Sequence, residues 1–205
     1  MNLKQATNRK NPSQNRSKER VAIILEAVKG LIEERNIGNL KITDIAKRAN
    51  TSPASIYRYF SDKEAIILSL AEHFMEKIQL IVDKHVIALK TLEDLEMVLN
   101  NNFDDIYLLH KNESALRQIW FESIDTDLVN LATLESNVKA DKIFQSVLKV
   151  ARPKDEIQLK QFILLMSLLF SSVIRLCFSS DASTPEQLKK IYVDTVMSGM
   201  ANYIE

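Results

Sequence analysis

A short segment of the chain concentrates side chains that hydrogen-bond to nucleic acids. Ser52, Ser55, Tyr57, Arg58 and Tyr59 all lie within it. The segment opens with Ser52-Pro53, which is typical of a helix start because serine caps a helix and proline suits its first position. An arginine on such a helix can pair with guanine O6 and N7, which is worth about 1–3 kcal/mol of discrimination between bases. The segment therefore predicts a helix that reads duplex DNA.

The residues before this segment predict a second short helix that would position it. Ile42, Ile45, Ala46 and Ala49 have the spacing of one apolar helix face. Asn50 and the threonine after it end that helix, and asparagine tolerates the left-handed backbone that a tight turn needs. Two short helices around a tight turn form a helix-turn-helix motif. Directly after the motif, Ser61-Asp62-Lys63-Glu64 predicts a capping box at the start of a third helix.

The distribution of charge supports a nucleic-acid partner. Residues 1–63 contain 13 Lys and Arg against 6 Asp and Glu, a net charge of +7, so the rest of this neutral chain carries −7. A basic end on an otherwise acidic molecule favours an approach to a polyanion by that end.

Helical patterns continue along the whole chain, and no alternating strand pattern competes with them. The predicted organisation is a flexible basic arm over residues 1–17, a DNA-binding domain over 18–63 and a larger helical domain over 64–205. The larger domain is predicted to begin within a long helix over 62–84. Later helices are expected from Thr91, over 113–124, over 127–150 (either continuous or broken midway), over 155–178 and over 185–203, the last opened by a capping box at Thr184.

Composition excludes several other classes of protein. The single cysteine, Cys177, rules out an internal disulfide framework and fits a cytoplasmic location. The longest uncharged run, residues 161–174, is shorter than the about 20 residues that span a bilayer, so we expect a buried helix there and no membrane partner. The sequence has no nucleophile elbow, no glycine-rich phosphate loop and no Cys/His cluster. We therefore expect no enzyme activity, no cofactor and no metal site.

Several of these segments together resemble a known family. The runs Ile24-Leu25-Glu26-Ala27, Ile45-Ala46-Lys47-Arg48-Ala49 and Ser55-Ile56-Tyr57-Arg58-Tyr59-Phe60, followed by Lys63-Glu64, resemble the DNA-binding domain of the TetR/AcrR family of transcriptional regulators. The resemblance covers about residues 18–70. It implies an all-α fold of about nine helices, with an N-terminal three-helix DNA-binding domain and a larger domain that binds a small molecule and forms a homodimer.

The expected DNA-contacting residues belong to the motif and to the start of the following helix. Arg58 is expected to contact a base, with a phosphate contact as the alternative. The resemblance implies phosphate contacts for Tyr57 and Lys63. Tyr59 either positions the motif or packs against the first helix, which the apolar spacing from Val21 to Ile32 predicts and Asn36-Ile37-Gly38 ends. Lys47 and Arg48 are read as a solvated face. The full predicted set is Thr43, Ser52, Pro53, Ala54, Ser55, Tyr57, Arg58, Tyr59 and Lys63.

The helix over 155–178 is apolar on two sides, so both sides must be covered. One side is expected to face the chain's own domain and the other a second subunit. The alternative is a central helix within a monomer. The predicted dimer contacts, with two residues from the last helix, are Phe162, Leu165, Leu169, Val173, Leu176, Tyr192 and Val196.

A ligand pocket is expected in the larger domain, although ordinary core packing is the alternative for each of its residues. Arg117 or Arg175 could hold an anionic ligand, and Glu122 or Asp125 a cationic one. The predicted lining residues are Phe103, Tyr107, His110, Arg117, Trp120, Phe121, Met166 and Phe170.

The sequence thus predicts a homodimeric regulator, most simply a repressor that a small-molecule effector releases from a near-palindromic operator in duplex DNA. One alternative is a DNA-binding protein of the same fold that a protein partner controls. Another is a helical small-molecule carrier or enzyme with a vestigial DNA-binding domain.

Overall fold

The computed structural model describes residues 12–122, 126–179 and 183–205. Those parts of the chain form nine α-helices and confirm the predicted all-α class. The helices are α1 (Pro12–Arg35), α2 (Ile42–Arg48), α3 (Pro53–Tyr57), α4 (Lys63–Ala88), α5 (Leu95–Asn112), α6 (Ser114–Arg117), α7 (Thr126–Val147), α8 (Glu156–Ser179) and α9 (Pro185–Met200). Short 3-10 turns at Ile37–Asn39 and Leu92–Asp94 precede α2 and α5, and a π-helical turn at Gln118–Glu122 follows α6.

The chain divides into two compact units, the first ending at Leu70 and the second beginning at Ala71. Helix α4 begins in the first unit and ends in the second. In the first unit, α1 packs against α2, and α2 packs against α3. The apolar faces of these helices are fully buried, as at Ile24, Ile45 and Ile56.

Helix α1 begins earlier than the sequence pattern predicts. Residues 12–17, which were expected in a flexible arm, are helical from Pro12 onward. Proline suits a first helical position, and the glutamine, lysine and arginine that follow favour a helix even without an apolar face. The predicted arm residues Arg9 and Lys10 lie outside the described residues.

The starts of two later helices, α9 and α4, test the predicted caps. Thr184 and Gln187 form the capping box expected at α9. The box predicted at Ser61 is wrong, because Asp62 is the residue whose side chain accepts from the Ala65 amide, at 2.7 Å. Ser61 donates to the Asp62 carboxylate instead. The aspartate stands one residue nearer to the helix and, when charged, accepts more strongly than a hydroxyl.

Two apolar clusters fill the second unit. The first joins α4, α5, α8 and α9 around Phe103 and Ile174. The second joins α5, α7, α8 and α9 around Phe144 and Leu159. The helix predicted over 113–124 is in fact the short α6 followed by the π-helical turn, and α7 is continuous to Val147, the first of the two alternatives for that helix.

Helix α8 is only partly covered by its own chain. Leu159, Ile163, Val173 and Ile174 are buried, but a stripe of four leucines on another side of the helix is 39–59% exposed in the single chain. We call this the leucine stripe: Leu165, Leu168, Leu169 and Leu176. Within a single chain α8 is therefore buried on one side only, and the expectation that a second subunit covers another side stays a prediction. By length and composition α8 could also cross a membrane, although core helices of other proteins meet the same criterion.

Candidate functional site

The turn between α2 and α3 is closed by two backbone hydrogen bonds. The Thr51 amide donates to the Ala46 carbonyl at 2.9 Å, and the Asn50 amide donates to the Lys47 carbonyl at 3.3 Å. Asn50 has φ 47°, the left-handed conformation predicted for it. These are the features of a Schellman motif with asparagine in the position that glycine usually takes. The turn ends α2 sharply and fixes where α3 begins.

Helix α3 presents its N-terminal residues to solvent. The Ser52 side chain accepts from the Ser55 amide at 3.1 Å, so the predicted cap is confirmed and Pro53 takes the first helical position. Ile56 faces the core, while Tyr57 is 55% exposed. The remaining predicted contact residues divide by exposure: Thr43, Ser52, Pro53, Ala54 and Arg58 are exposed, and Ser55, Tyr59 and Lys63 are half-buried.

Two arginines of the motif have different roles. Among the described residues no carboxylate pairs with Arg58, whose guanidinium lies 5.9 Å from the centre of the Tyr59 ring. Arg48, read from the sequence as part of a solvated face, instead pairs with Glu34 at 2.7 Å. Its guanidinium lies over Gly30, where an added Cβ would come within 2.7 Å of it. Arg48 therefore joins α2 to α1, whereas Arg58 is exposed to solvent.

The eight residues predicted to line a pocket lie in one neighbourhood of the second unit. Phe103 is in the first apolar cluster, and Tyr107, Trp120, Phe121, Met166 and Phe170 pack against it. His110 stacks on Phe121, with ring centroids 5.6 Å apart and planes 8° from parallel. Arg117 lies over the Phe178 ring at 5.1 Å. The structure thus places these residues close together, and ligand binding by them stays a prediction.

His110 is held neutral within this neighbourhood. Its Nδ1 lies 2.9 Å from the Ile106 carbonyl, which can only accept, so Nδ1 carries the proton. Burial, with a smaller contribution from the positive charges of Arg117 and Lys139, lowers the pKa of His110 to about 4. At neutral pH His110 therefore offers a flat uncharged ring.

Both arginines considered for anion binding are engaged with backbone. Arg117 donates to the carbonyls of His110 and Lys111 at the end of α5. Arg175 donates to the Phe121 carbonyl at 3.0 Å. Glu122 and Asp125, considered for a cationic ligand, have side chains that lie outside the described part of the structure.

The sequence reading missed two residues of this neighbourhood. Phe178 stacks on Tyr107 at 5.2 Å, and Lys139 of α7 reaches the Sδ of Met75 at 3.6 Å. Phe178 continues the spacing of Ile174 and Phe170 on α8 and could have been found from it. Lys139 could not, because a lysine on an amphipathic helix normally lies in solvent. In the part of the chain that the structure describes, no group of His, Cys, Asp and Glu is placed to hold a metal ion.

Comparison with known proteins identifies the first unit. Residues 24–70 match the profile of a family described as bacterial regulatory proteins, tetR family. Residues 24–70 thus form a TetR-type DNA-binding domain. The helix-turn-helix formed by α2 and α3 lies within this match.

Individual relatives extend the likeness beyond the DNA-binding domain. The HTH-type transcriptional regulator YvdT of Bacillus subtilis is 28% identical over 104 residues, which are 51% of this chain and 52% of YvdT. The chain thus matches about half the length of that relative. RolR, solved in complex with its ligand resorcinol, aligns over 91% of this chain and 89% of its own, with TM-score 0.65 and 15% identity. The fatty acid degradation regulator FadR of Bacillus halodurans aligns over 94% and 98%, with TM-score 0.64 and 18% identity. At these identities the two structures establish the fold of the chain.

The residues predicted for a TetR-type dimer interface fall into two groups. Leu165, Leu169 and Leu176 belong to the exposed leucine stripe. Val173, Tyr192 and Val196 are 4–8% exposed, so the core of a single chain already covers these three predicted interface residues. The helical spacing of α8 shows two apolar sides but does not tell which one the chain covers itself. Phe162 is half-buried and stacks on Tyr203 of its own chain at 4.8 Å.

Proposed function

We propose that this protein is a homodimeric TetR-type repressor that leaves a near-palindromic operator when a small molecule binds its second unit. The observation that carries the proposal is the exposed surface of α3, which presents Ser52, Pro53 and Ala54 at its capped N-terminus and Tyr57 and Arg58 at its C-terminal end. In helix-turn-helix proteins the second helix of the motif lies in the major groove, where its side chains meet the edges of bases. Arg58 would read guanine, and Lys63 and Tyr57 would bind phosphates on either side.

The leucine stripe supports the proposed dimer. Exposed leucines spaced along one helix form an apolar surface that a monomer in water does not favour. A second copy of the chain would cover it through a twofold contact, in which the same patch occurs on both subunits. Two copies also present two reading helices, which a palindromic operator requires about 34–36 Å apart.

The aromatic neighbourhood around Phe103 and His110 supports the proposed effector site. RolR, which shares the fold, binds resorcinol, a small aromatic molecule. Helix α4 belongs to both units, so a ligand that shifts its second half would also act on its first half. By linkage, ligand and operator must then weaken each other by the same factor.

A footprinting experiment tests the DNA-binding part of the proposal. The purified protein would be footprinted on the DNA upstream of its own gene at two salt concentrations. We expect a protected near-palindrome whose occupancy falls steeply with salt, because phosphate contacts release counterions. Arg58→Ala should weaken binding about 5- to 150-fold and relax one position of the site. The exposed Arg152 of the second unit offers a matched control, and Arg152→Ala should leave the footprint unchanged.

Other results would contradict particular parts of the proposal. Equal, weak binding to every sequence would contradict operator recognition and favour a carrier or enzyme. Protection by a monomer that is saturated at one half-site would contradict the dimer. Specific binding that resists every small molecule tested but yields to a protein would favour control by a protein partner.

A further inference from the structure

Lys139 places a positive charge against the apolar interior of the second unit. The lysine is largely buried, and burial lowers the pKa of its ammonium group. Its Nζ contacts the Sδ of Met75, a weak acceptor, at 3.6 Å. No carboxylate among the described residues pairs with it; Glu135, one turn earlier on α7, acts on it only through its charge. Buried charges are normally paired, so Lys139 is a candidate for binding an anion from outside the chain.

Trp120 supplies a second unused donor to the same cluster. Its indole Nε1–H is buried and finds no acceptor among the described residues. The ring packs against the cluster that contains Met75, the residue that Lys139 contacts. Trp120 lies in the π-helical turn at Gln118–Glu122, and such turns are frequent at functional sites.

Four aromatic rings of the same neighbourhood form two nearly parallel pairs. Tyr107 and Phe178 lie 5.2 Å apart with planes 19° from parallel, and His110 and Phe121 lie 5.6 Å apart at 8°. His110 is neutral and adds a ring face without a charge. The nearby cations do not compete with Lys139, since Arg117 is engaged with carbonyls and Lys77 pairs with Glu113 at 3.2 Å. Among the described residues, the neighbourhood therefore combines flat apolar faces with a cation that no carboxylate pairs, Lys139, and a buried N–H without an acceptor, that of Trp120.

We propose that Lys139 and Trp120 bind the carboxylate of a small aromatic acid whose ring inserts among Tyr107, His110, Phe121 and Phe178. The ammonium and the indole N–H would each donate to the carboxylate, which satisfies both buried groups at once. The ring would part the existing stacks and replace their contacts with its own. This inference names the chemistry of the effector in the proposed function, and its binding test does not depend on DNA.

Benzoate is the probe for the test, and Trp120 is the reporter because it is the only tryptophan in the chain. We expect a saturable change in tryptophan emission with benzoate, and calorimetry should give the same dissociation constant. Benzyl alcohol has the ring without the charge and should bind at least about tenfold more weakly, since a charge-assisted hydrogen bond is lost. Benzylamine, with the opposite charge, should not bind. Octanoate, a carboxylate without a ring, should bind more weakly than benzoate.

The deciding variant is Lys139→Met, which keeps the length of the side chain and removes its charge. It should fold normally and bind benzoate no better than benzyl alcohol, while Lys149→Met, at an exposed lysine, should bind benzoate as the unaltered protein does. The proposal is overturned if benzoate does not bind, if benzyl alcohol or octanoate binds as tightly, or if Lys139→Met retains benzoate affinity. Failure here with an intact operator footprint leaves the DNA-binding proposal standing. Benzoate binding without any footprint would contradict the regulator and support the site.

Discussion

Acidification should destabilise the second unit through His110. The pKa of this histidine is about 4 in the folded chain against 6.5 for an unperturbed histidine, chiefly because the ring is buried. As pH falls below 6.5, His110 binds a proton in the unfolded chain but not in the folded chain. The free energy of unfolding therefore decreases as pH falls, until about pH 4. Each pH unit in that window removes about 1.4 kcal/mol, so between about pH 7 and pH 5 the loss is about 2 kcal/mol.

The measurement is urea unfolding at the two pH values, followed by the emission of Trp120. Carboxylates elsewhere also titrate and change the stability of both proteins. The informative quantity is therefore the loss of unfolding free energy on acidification, compared between the unaltered protein and His110→Phe. The variant lacks the titrating group, and we expect its free energy of unfolding to fall less on acidification, by about 2 kcal/mol. His73, which is half exposed, offers the matched control. His73→Asn should lose as much unfolding free energy on acidification as the unaltered protein does. An equal loss in the unaltered protein and in His110→Phe would refute the claim that folding keeps this ring neutral.

Three further substitutions have defined outcomes. Gly199→Ala would place a Cβ 2.6 Å from the ring of Phe162 and should destabilise the fold by about 1–3 kcal/mol, measured by thermal unfolding. Gly38→Ala is the control, because its Cβ would meet no atom nearer than 3.9 Å and should not clash. Leu169→Glu should convert the dimer to a monomer in sedimentation, and Leu80→Glu, at a leucine exposed elsewhere, should not. Ser52→Ala removes a helix cap and should lower stability by about 1 kcal/mol, measured by urea unfolding; an unchanged midpoint would contradict the cap.

The DNA-binding unit could be predicted from the sequence because its signals are local. Asn50 and Ser52-Pro53 fix the turn and the start of α3 through hydrogen bonds within a few residues. The same holds at α9, where Thr184 and Gln187 cap the helix. Where two neighbours compete for one cap, as Ser61 and Asp62 do, the sequence alone did not decide between them.

The second unit could be predicted only in part because its contacts join distant elements. The aromatic residues of α5 and α8 were identified as a group, since large rings seldom lie fully in solvent. Lys139 was not, because only the packing of α7 against other elements buries it. The spacing of α8 also fits two opposite faces equally well, and only the folded chain shows that it covers Val173 and leaves Leu169 exposed.

The contact between Gly30 and Arg48 has a consequence for how this sequence can diverge. The guanidinium occupies the place where any other residue at position 30 would put its Cβ, and from there it reaches Glu34. A larger residue at position 30 displaces the arginine, and after that nothing favours a long basic side chain at position 48 or an acid at position 34. Among descendants of a common ancestor, these three positions should therefore change together, although position 48 lies on a different helix from the other two.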